Sequence, residues 1–437
     1  MAATTSHFRG RGDPSTPAAA RGRPAPRIFG VGGRELAAVL LGWFFVVFDG
    51  YDLIVYGTVQ GQLMRQWHLG PTQAGLLGST AFIGMAIGAF AIGQLSDRVG
   101  RSAAVIGSVA VLSVFTQLCA FAPNPWVFGA LRLFAGFGLG GLVPSVNAMV
   151  ADIVPLRTLS TWSTVMMSGV PIGGSVAALL AAAVLPGTSG PEYSGIAGWR
   201  VLFLIAVVPI VLGLPLAAWL FPRDRRRGQA PTPPTVERAA RGGFGAILVR
   251  RYRAVTLLVA VATFVTLLAW YGLGTWLPKL MQDAGYNLGT ALTFTLALNL
   301  GAVAGSVITA WAGDRFGPLP SGAVSAAVAG IALLCLLAHP PVAVVMVLLA
   351  LAGVGTHGTQ ILIIAAVASF YPRKLRGTAL GWALGVGRIG AVVAPQAAGV
   401  LLALGLGVAS NYVFFGGAAL LSTASLAVLI RRSRNRN

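Results

Sequence analysis

Long apolar runs separated by short polar breaks follow one another along most of the chain. Twelve of these runs are about 20 residues long, which is the length that an α-helix needs to cross the hydrocarbon core of a bilayer. The pattern therefore predicts an all-α membrane protein with twelve transmembrane helices. The predicted spans cover residues 36–60, 73–93, 103–122, 126–150, 160–185, 199–221, 254–280, 289–312, 321–338, 341–366, 378–400 and 409–430.

One long polar stretch, rich in arginine and proline, divides the spans into two sets of six. Asp97-Arg98 and Gly100 recur 217 positions later as Asp314-Arg315 and Gly317, which indicates that the two halves are repeats with the same orientation. The expected organisation is a disordered cytoplasmic tail at 1–35, a six-helix bundle at 36–221, a cytoplasmic linker at 222–253, a second six-helix bundle at 254–430 and a cytoplasmic tail at 431–437.

The composition excludes a soluble enzyme, since 56% of the residues are hydrophobic and 10% are charged. A net charge of +20 would suit a nucleic-acid partner, but the Lys and Arg residues concentrate at the helix ends that a cytoplasmic N-terminus would place inside. We therefore expect a multi-pass protein of a bacterial cytoplasmic (inner) membrane, with both termini cytoplasmic and basic residues near anionic lipids, and no nucleic-acid partner. No enzyme motif, metal-ligand set or cofactor motif is recognisable in a usable context.

Two carboxylates, Asp49 and Asp52, lie inside the first predicted span, three residues apart and therefore on one helix face. A charge at that depth costs at least about 2.5–3.5 kcal/mol and is rarely kept without a use. Two carboxylates so close do not both ionise easily in a low-dielectric site, so one is expected to hold a proton, as a proton carrier requires. The alternative is that one of them pairs with an arginine to hold helices together.

Two arginines also lie within predicted spans. Arg388 is near the membrane midplane, where a guanidinium can hold a substrate carboxylate through two parallel hydrogen bonds. It could instead form a fixed ion pair with an aspartate or act in gating between the bundles. Arg132 lies nearer the outer end of its span and has three possible roles: partner of Asp49, partner of Asp52, or a side chain that extends to the surface.

A site for a small organic molecule also needs apolar walls and a few polar groups. Six further side chains near the middle of their spans are candidates for substrate binding: Tyr51, Trp270, Tyr271, Asn299, His357 and Gln360. Each also has a structural interpretation, because aromatic residues pack cores, a histidine can be a hydrogen-bonded core residue, and an asparagine can bridge two helices.

Several motifs resemble those of a known family. Gly93-Gln-Leu-Ser-Asp97-Arg98-Val-Gly100-Arg101 resembles the signature between helices two and three of the major facilitator superfamily, and Gly313-Asp314-Arg315-Phe-Gly317 resembles its second copy. Phe48-Asp49-Gly50-Tyr51-Asp52 is similar to the Asp-Gly-Tyr-Asp motif of the aromatic acid/proton symporters, which import benzoate, hydroxybenzoates and similar compounds. The resemblance implies a major facilitator fold and a monomeric carrier that imports an aromatic carboxylate with protons by alternating access.

The competing interpretation is a proton-antiport efflux carrier for organic acids or drugs, because the direction of transport is not encoded in Asp49, Asp52 and Arg388. In either case, charged residues beside the cytoplasmic helix ends can clamp these ends together when the cytoplasmic side is closed, and a glycine permits the tight turn between helices. The expected gating residues are Gly93, Asp97, Arg98, Gly100, Arg101, Asp314 and Arg315.

Overall fold

The computed structural model describes residues 32–155, 158–185, 198–221 and 243–434. Within these residues, twelve helical segments are long and apolar enough to cross a membrane. The predicted all-α class and the predicted number of spans are therefore confirmed. Most of the expected N-terminal tail, residues 222–242 of the expected linker and residues 435–437 lie outside the described part of the chain.

The first half contains five long helices and a sixth span made of two short helices. These are α1 (Gly33–Gln66), α2 (Pro71–Val99), α3 (Arg101–Cys119), α4 (Pro125–Ile153), α5 (Leu159–Val184), α6 (Gly198–Leu204) and α7 (Leu214–Leu220). The second half begins with the short helix α8 (Gly243–Leu248) and continues with six spans. These are α9 (Arg253–Asp283), α10 (Leu288–Phe316), α11 (Pro318–Cys335), α12 (Val342–Phe370), α13 (Arg373–Ala403) and α14 (Gly407–Arg434).

Most helices extend past the apolar runs that predict them. Proline at a first helical position needs no backbone N–H, and Pro71 and Pro125 begin α2 and α4 in this way. The Asn124 side chain accepts a hydrogen bond from the Val127 N–H at 2.9 Å, and Asn287 accepts one from the Thr290 N–H at 2.8 Å. These caps satisfy free N–H groups and start helices in polar residues that hydropathy alone excludes.

The sixth span is not one regular helix. A π-helical segment, Pro209–Gly213, lies between α6 and α7. Proline lacks the N–H that would bond one turn back, so the regular α-helical hydrogen-bond pattern is interrupted at this point. The predicted span over 199–221 is confirmed as a membrane-crossing segment, and the structure adds this local irregularity.

The two halves pack in the same way. In the first half the most extensive helix contacts are α2 with α4, α1 with α5 and α3 with α4, and the second half repeats them as α10 with α12, α9 with α13 and α11 with α12. The loops match as well: Gly100 has φ 95° and ψ 156°, and Gly317 has φ 90° and ψ 150°. These positive φ angles suit glycine and allow the next helix to begin at once. The internal repeat predicted from the sequence therefore exists in three dimensions.

The bundles meet along three helix pairs: α2 with α13, α5 with α10 and α1 with α9. The first two pairs are equivalent under the internal repeat, so the interface has approximate twofold symmetry. The buried charged residues of α1 and α13 lie beside this interface.

Candidate functional site

Asp52 is held in a buried ion pair inside the first bundle. Arg132 Nη1 on α4 lies 2.7 Å from Asp52 Oδ2, and both side chains are 2% exposed. The Thr116 hydroxyl on α3 donates to Asp52 Oδ1 at 2.6 Å. Arg132 also donates to the Asp52 backbone carbonyl at 3.2 Å. Asp52 thus links three helices. The sequence left open whether Arg132 pairs with Asp49 or with Asp52, and the structure pairs it with Asp52.

Asp49 is in a different environment although it lies on the same helix. It is 3% exposed and lies at the middle of the 34-residue helix α1. Its Oδ1 atom is buried and accepts no hydrogen bond from the described residues. An unpaired buried oxygen in a native structure calls for an explanation, and a function for the carboxyl group is one.

Arg388 approaches Asp49 from the second bundle. It lies at the middle of the 31-residue helix α13 and is partly exposed. Its Nη1 donates to the Met85 carbonyl of α2 at 2.9 Å, so it bridges the two bundles. Asp49 and Tyr271 lie within electrostatic range of its guanidinium, yet no described carboxylate is within ion-pair distance. An arginine has five N–H donors, so several remain for an anionic ligand.

Aromatic rings surround this region on the second bundle. The Tyr271 ring of α9 lies 4.9 Å from the Phe82 ring of α2, centroid to centroid, across the bundle interface. The Trp270 ring lies 5.2 Å from the His357 ring of α12, with an interplanar angle of 48°. Tyr51 does not contribute its hydroxyl here, because that group donates to the Leu202 carbonyl at 2.7 Å inside the first bundle.

The remaining polar candidates differ in their surroundings. Asn299 donates to the Thr295 carbonyl at 2.9 Å, and a Cβ atom placed on Gly174 of α5 would lie 2.2 Å from its Oδ1 atom. Asn299 is therefore pressed against the other bundle. His357 is 2% exposed and neither ring nitrogen has a hydrogen-bond partner among the described residues. Gln360, one turn further along α12, is half-buried.

The bundles are closed on one side of this region. We call the half that contains the α1–α2 connection the distal half. There a Cβ atom on Gly57 would lie 2.5 Å from the Gly274 carbonyl oxygen, and one on Gly75 would lie 2.5 Å from the Pro395 carbonyl oxygen. Backbones therefore touch across the interface, and no side chain fits between them.

The other half is more open. On α13, Gly377, Gly381 and Gly385 recur every four residues on the face that carries Arg388 and Pro395 further along. A Cβ atom on any of the three would meet no atom of another described helix within 4 Å. The interface at α13 is thus packed distally and loose on the side of the chain termini.

The predicted gating residues lie at the looser end. Arg101 forms an ion pair with Asp152 at the end of α4, at 2.6 Å, and donates to the Ala148 carbonyl at 2.7 Å. Arg98, Asp314 and Arg315 are exposed. The side chain of Asp97 lies outside the described part of the structure. Of the predicted charge network, the structure therefore describes the contacts of Arg101.

Two contributors to the charged region were not singled out in the sequence, Thr116 and Met85. Hydroxyls inside membrane helices commonly bond to their own backbone, so Thr116 carried no signal of its role. Met85 contributes only its backbone carbonyl, and because every residue has one, the residue type gives no signal of this role.

Two homologous six-helix bundles with buried charges at their interface define a secondary carrier. The sequence profile of the Major Facilitator Superfamily matches residues 42–299 and 259–437, and the chain belongs to this superfamily. The chain is 67% identical over 404 residues to the gentisate transporter of Corynebacterium glutamicum, covering 92% of this chain and 89% of that one. It is 33% identical to the benzoate transport protein of Acinetobacter baylyi, covering 84% of each chain.

The crystal structure of a D-xylose-proton symporter has the same fold, with a TM-score of 0.74 at 16% identity, covering 90% of this chain and 97% of that one. The family resemblance drawn from the loop and helix-one motifs is therefore confirmed. The chain is a transporter and not an enzyme, and its relatives carry aromatic acids.

Proposed function

We propose that this protein is a proton-coupled symporter that imports an aromatic carboxylic acid of the hydroxybenzoate class, with gentisate as the first candidate. The observation that carries the proposal is the placement of the buried Asp49 and the partly exposed Arg388 on opposite sides of the bundle interface. The relative named as a gentisate transporter supports the substrate class, because two thirds of the aligned residues are identical.

Asp49 is the proton carrier in this proposal. Asp52 is already paired with Arg132 and accepts a hydrogen bond from Thr116, so it serves as a structural link between helices. Asp49 Oδ1 has none. A carboxyl group that gains and loses a proton needs an environment in which neither state is locked by a fixed ion pair, and Asp49 meets this condition.

Arg388 binds the substrate carboxylate. Its contact with the Met85 carbonyl uses one donor and holds the guanidinium at the interface, beside Tyr271 and Phe82. A carboxylate on the remaining donors would lie near Asp49, so two negative charges would share one arginine. Protonation of Asp49 removes this repulsion, and substrate binding and proton binding then favour each other.

Transport proceeds by rocking of the two bundles, with domain boundaries as the sequence predicts. In the described state the distal half is closed through Gly57 and Gly75. With both termini in the cytoplasm of a bacterium, this state faces inward. The pair Arg101–Asp152 and the charged residues of the α2–α3 and α10–α11 loops close the cytoplasmic side in the opposite state. The carrier works as a monomer in the cytoplasmic membrane, where its basic ends contact anionic lipids.

One proton moving with one monoanion transfers no net charge. The pH gradient alone then drives uptake with about 1.4 kcal/mol per pH unit, which corresponds to about tenfold accumulation. A second proton would add about 2.3 kcal/mol for every 100 mV of membrane potential. Two aspartates therefore do not imply two protons, since the structure leaves one of them paired.

Uptake by proteoliposomes tests the proposal. An inward proton gradient should drive accumulation of radiolabelled gentisate, with benzoate and 4-hydroxybenzoate as comparison substrates, and Asp49→Asn should abolish accumulation while exchange of internal and external substrate continues. Accumulation only under an outward proton gradient would favour the efflux carrier. Absence of uptake and exchange of all three acids would exclude the aromatic acid site.

A further inference from the structure

His357 is a buried polar group of the central region that takes no part in the Asp49–Arg388 arrangement. It lies at the middle of the 29-residue helix α12 and is 2% exposed. Its Nδ1 and Nε2 atoms are both buried without a hydrogen-bond partner among the described residues. Buried polar side-chain atoms usually have a partner, so an imidazole with two free nitrogens is either a cost without a purpose or a group kept ready for a ligand.

Its neighbours connect it to the proposed carboxylate site. The His357 ring contacts the Trp270 ring at 5.2 Å, Trp270 precedes Tyr271 in α9, and Tyr271 lies within electrostatic range of Arg388. A hydroxybenzoate has a carboxylate, a ring and a hydroxyl group, and a guanidinium, aromatic rings and an imidazole are suitable partners for these three parts. Aromatic rings pack well on one another in offset or tilted arrangements.

Asn299 does not fill the same role. Its amide nitrogen is already used within α10. Its oxygen has no hydrogen-bond partner among the described residues and lies so close to Gly174 of the other bundle that a Cβ atom there would be 2.2 Å away. A neutral imidazole has one N–H donor and one bare nitrogen acceptor, whereas a phenolic hydroxyl can donate and accept. The two groups are therefore complementary, and benzoate, which lacks the hydroxyl, cannot make this contact.

We propose that His357, which packs against Trp270 in a tilted arrangement, binds a ring hydroxyl of the substrate and gives the carrier its preference for hydroxylated over unsubstituted benzoates. This inference rests on the proposed function and adds the residue that sets its specificity. A site built around a hydrogen bond discriminates against the analogue that lacks the group, because its own polar atoms then remain unpaired.

The test compares binding of gentisate and benzoate to the purified full-length carrier in lipid nanodiscs, by isothermal titration. His357→Phe keeps an aromatic ring against Trp270 and removes both nitrogens. We expect gentisate affinity to fall about tenfold, the loss of about one hydrogen bond, while benzoate affinity changes less than about threefold. His357→Gln, which keeps a donor and an acceptor, should retain part of the preference and serves if the Phe variant does not fold.

Asn411→Leu is the matched control, since Asn411 on α14 is also buried with both amide atoms unpartnered. It should leave the gentisate-to-benzoate ratio unchanged. Equal loss of both affinities in the His357 variants, or no change in either, would overturn the specificity role and leave the proposed function intact. Equal binding of the two acids by the unaltered protein would do the same, whereas binding of neither would refute the proposed function itself.

Discussion

Exchanging each of the two aspartates of α1 for asparagine should have very different effects on stability. Asp52→Asn removes the negative charge that faces Arg132 at 2.7 Å in a pair that is 2% exposed on both sides. Breaking one partner of a buried pair costs about 3–5 kcal/mol, because the other charge stays buried without compensation. The Thr116 hydroxyl also loses a charged acceptor. We expect the free energy of unfolding to fall by about 3 kcal/mol or more.

Asp49→Asn has no such cost. Asp49 Oδ1 accepts no hydrogen bond from a described residue, so the exchange removes no fixed contact. We expect a change of less than about 1 kcal/mol, as for substitutions that break no specific interaction. The free energy of unfolding of both variants can be measured under the same conditions by reversible unfolding in mixed micelles with an increasing fraction of a denaturing detergent.

A double-mutant cycle with Arg132→Leu isolates the pair. Asp52→Asn and Arg132→Leu together should cost clearly less than the sum of the two single changes, with a coupling energy of about 2–3 kcal/mol. Additive effects, or a larger loss for Asp49→Asn than for Asp52→Asn, would refute the assignment of Asp52 to structure and of Asp49 to the proton.

Three further substitutions test other parts of the structure. Gly100→Ala places a side chain at φ 95° and should lower stability by about 1 kcal/mol in thermal denaturation, whereas Gly93→Ala, which meets open space inside helix α2, should not lower it. Gly57→Ile should prevent distal closure against Gly274, so that distal sites become more reactive toward a membrane-impermeant thiol reagent after introduction of a cysteine there. Arg388→Lys should raise the apparent KM for uptake about tenfold or more, because an ammonium cannot form the two parallel hydrogen bonds of a guanidinium; an unchanged KM would remove Arg388 from the carboxylate site.

The periodicity of apolar residues sufficed to predict the number of helices, their order and the repeat, because bilayer thickness fixes the length of an apolar run. It could not predict helix ends. Residues 61–66 of α1 and 373–377 of α13 are too polar or too small to register as membrane segments, yet they continue their helices. Hydropathy also carries no signal of the π-helical segment at Pro209, because the apolar run continues across it.

The sequence predicts a set of residues for the candidate site but not how they pair. Asp49 and Asp52 are three residues apart, and which of them meets Arg132 depends on the rotation of α1 relative to α4. That rotation is set by packing of many small residues, which a single sequence does not reveal. For the same reason Tyr51, close to both aspartates in sequence, directs its hydroxyl to Leu202 instead.

The most direct test of the central claim is to follow protons rather than substrate. Proteoliposomes with a lightly buffered exterior and no imposed gradient receive external gentisate, and the external pH is recorded. A symporter that carries protons with the acid predicts an alkaline shift outside, which disappears in Asp49→Asn and persists in the control Asn411→Leu. Gentisate entry without a change in external pH, or with acidification, would contradict the account.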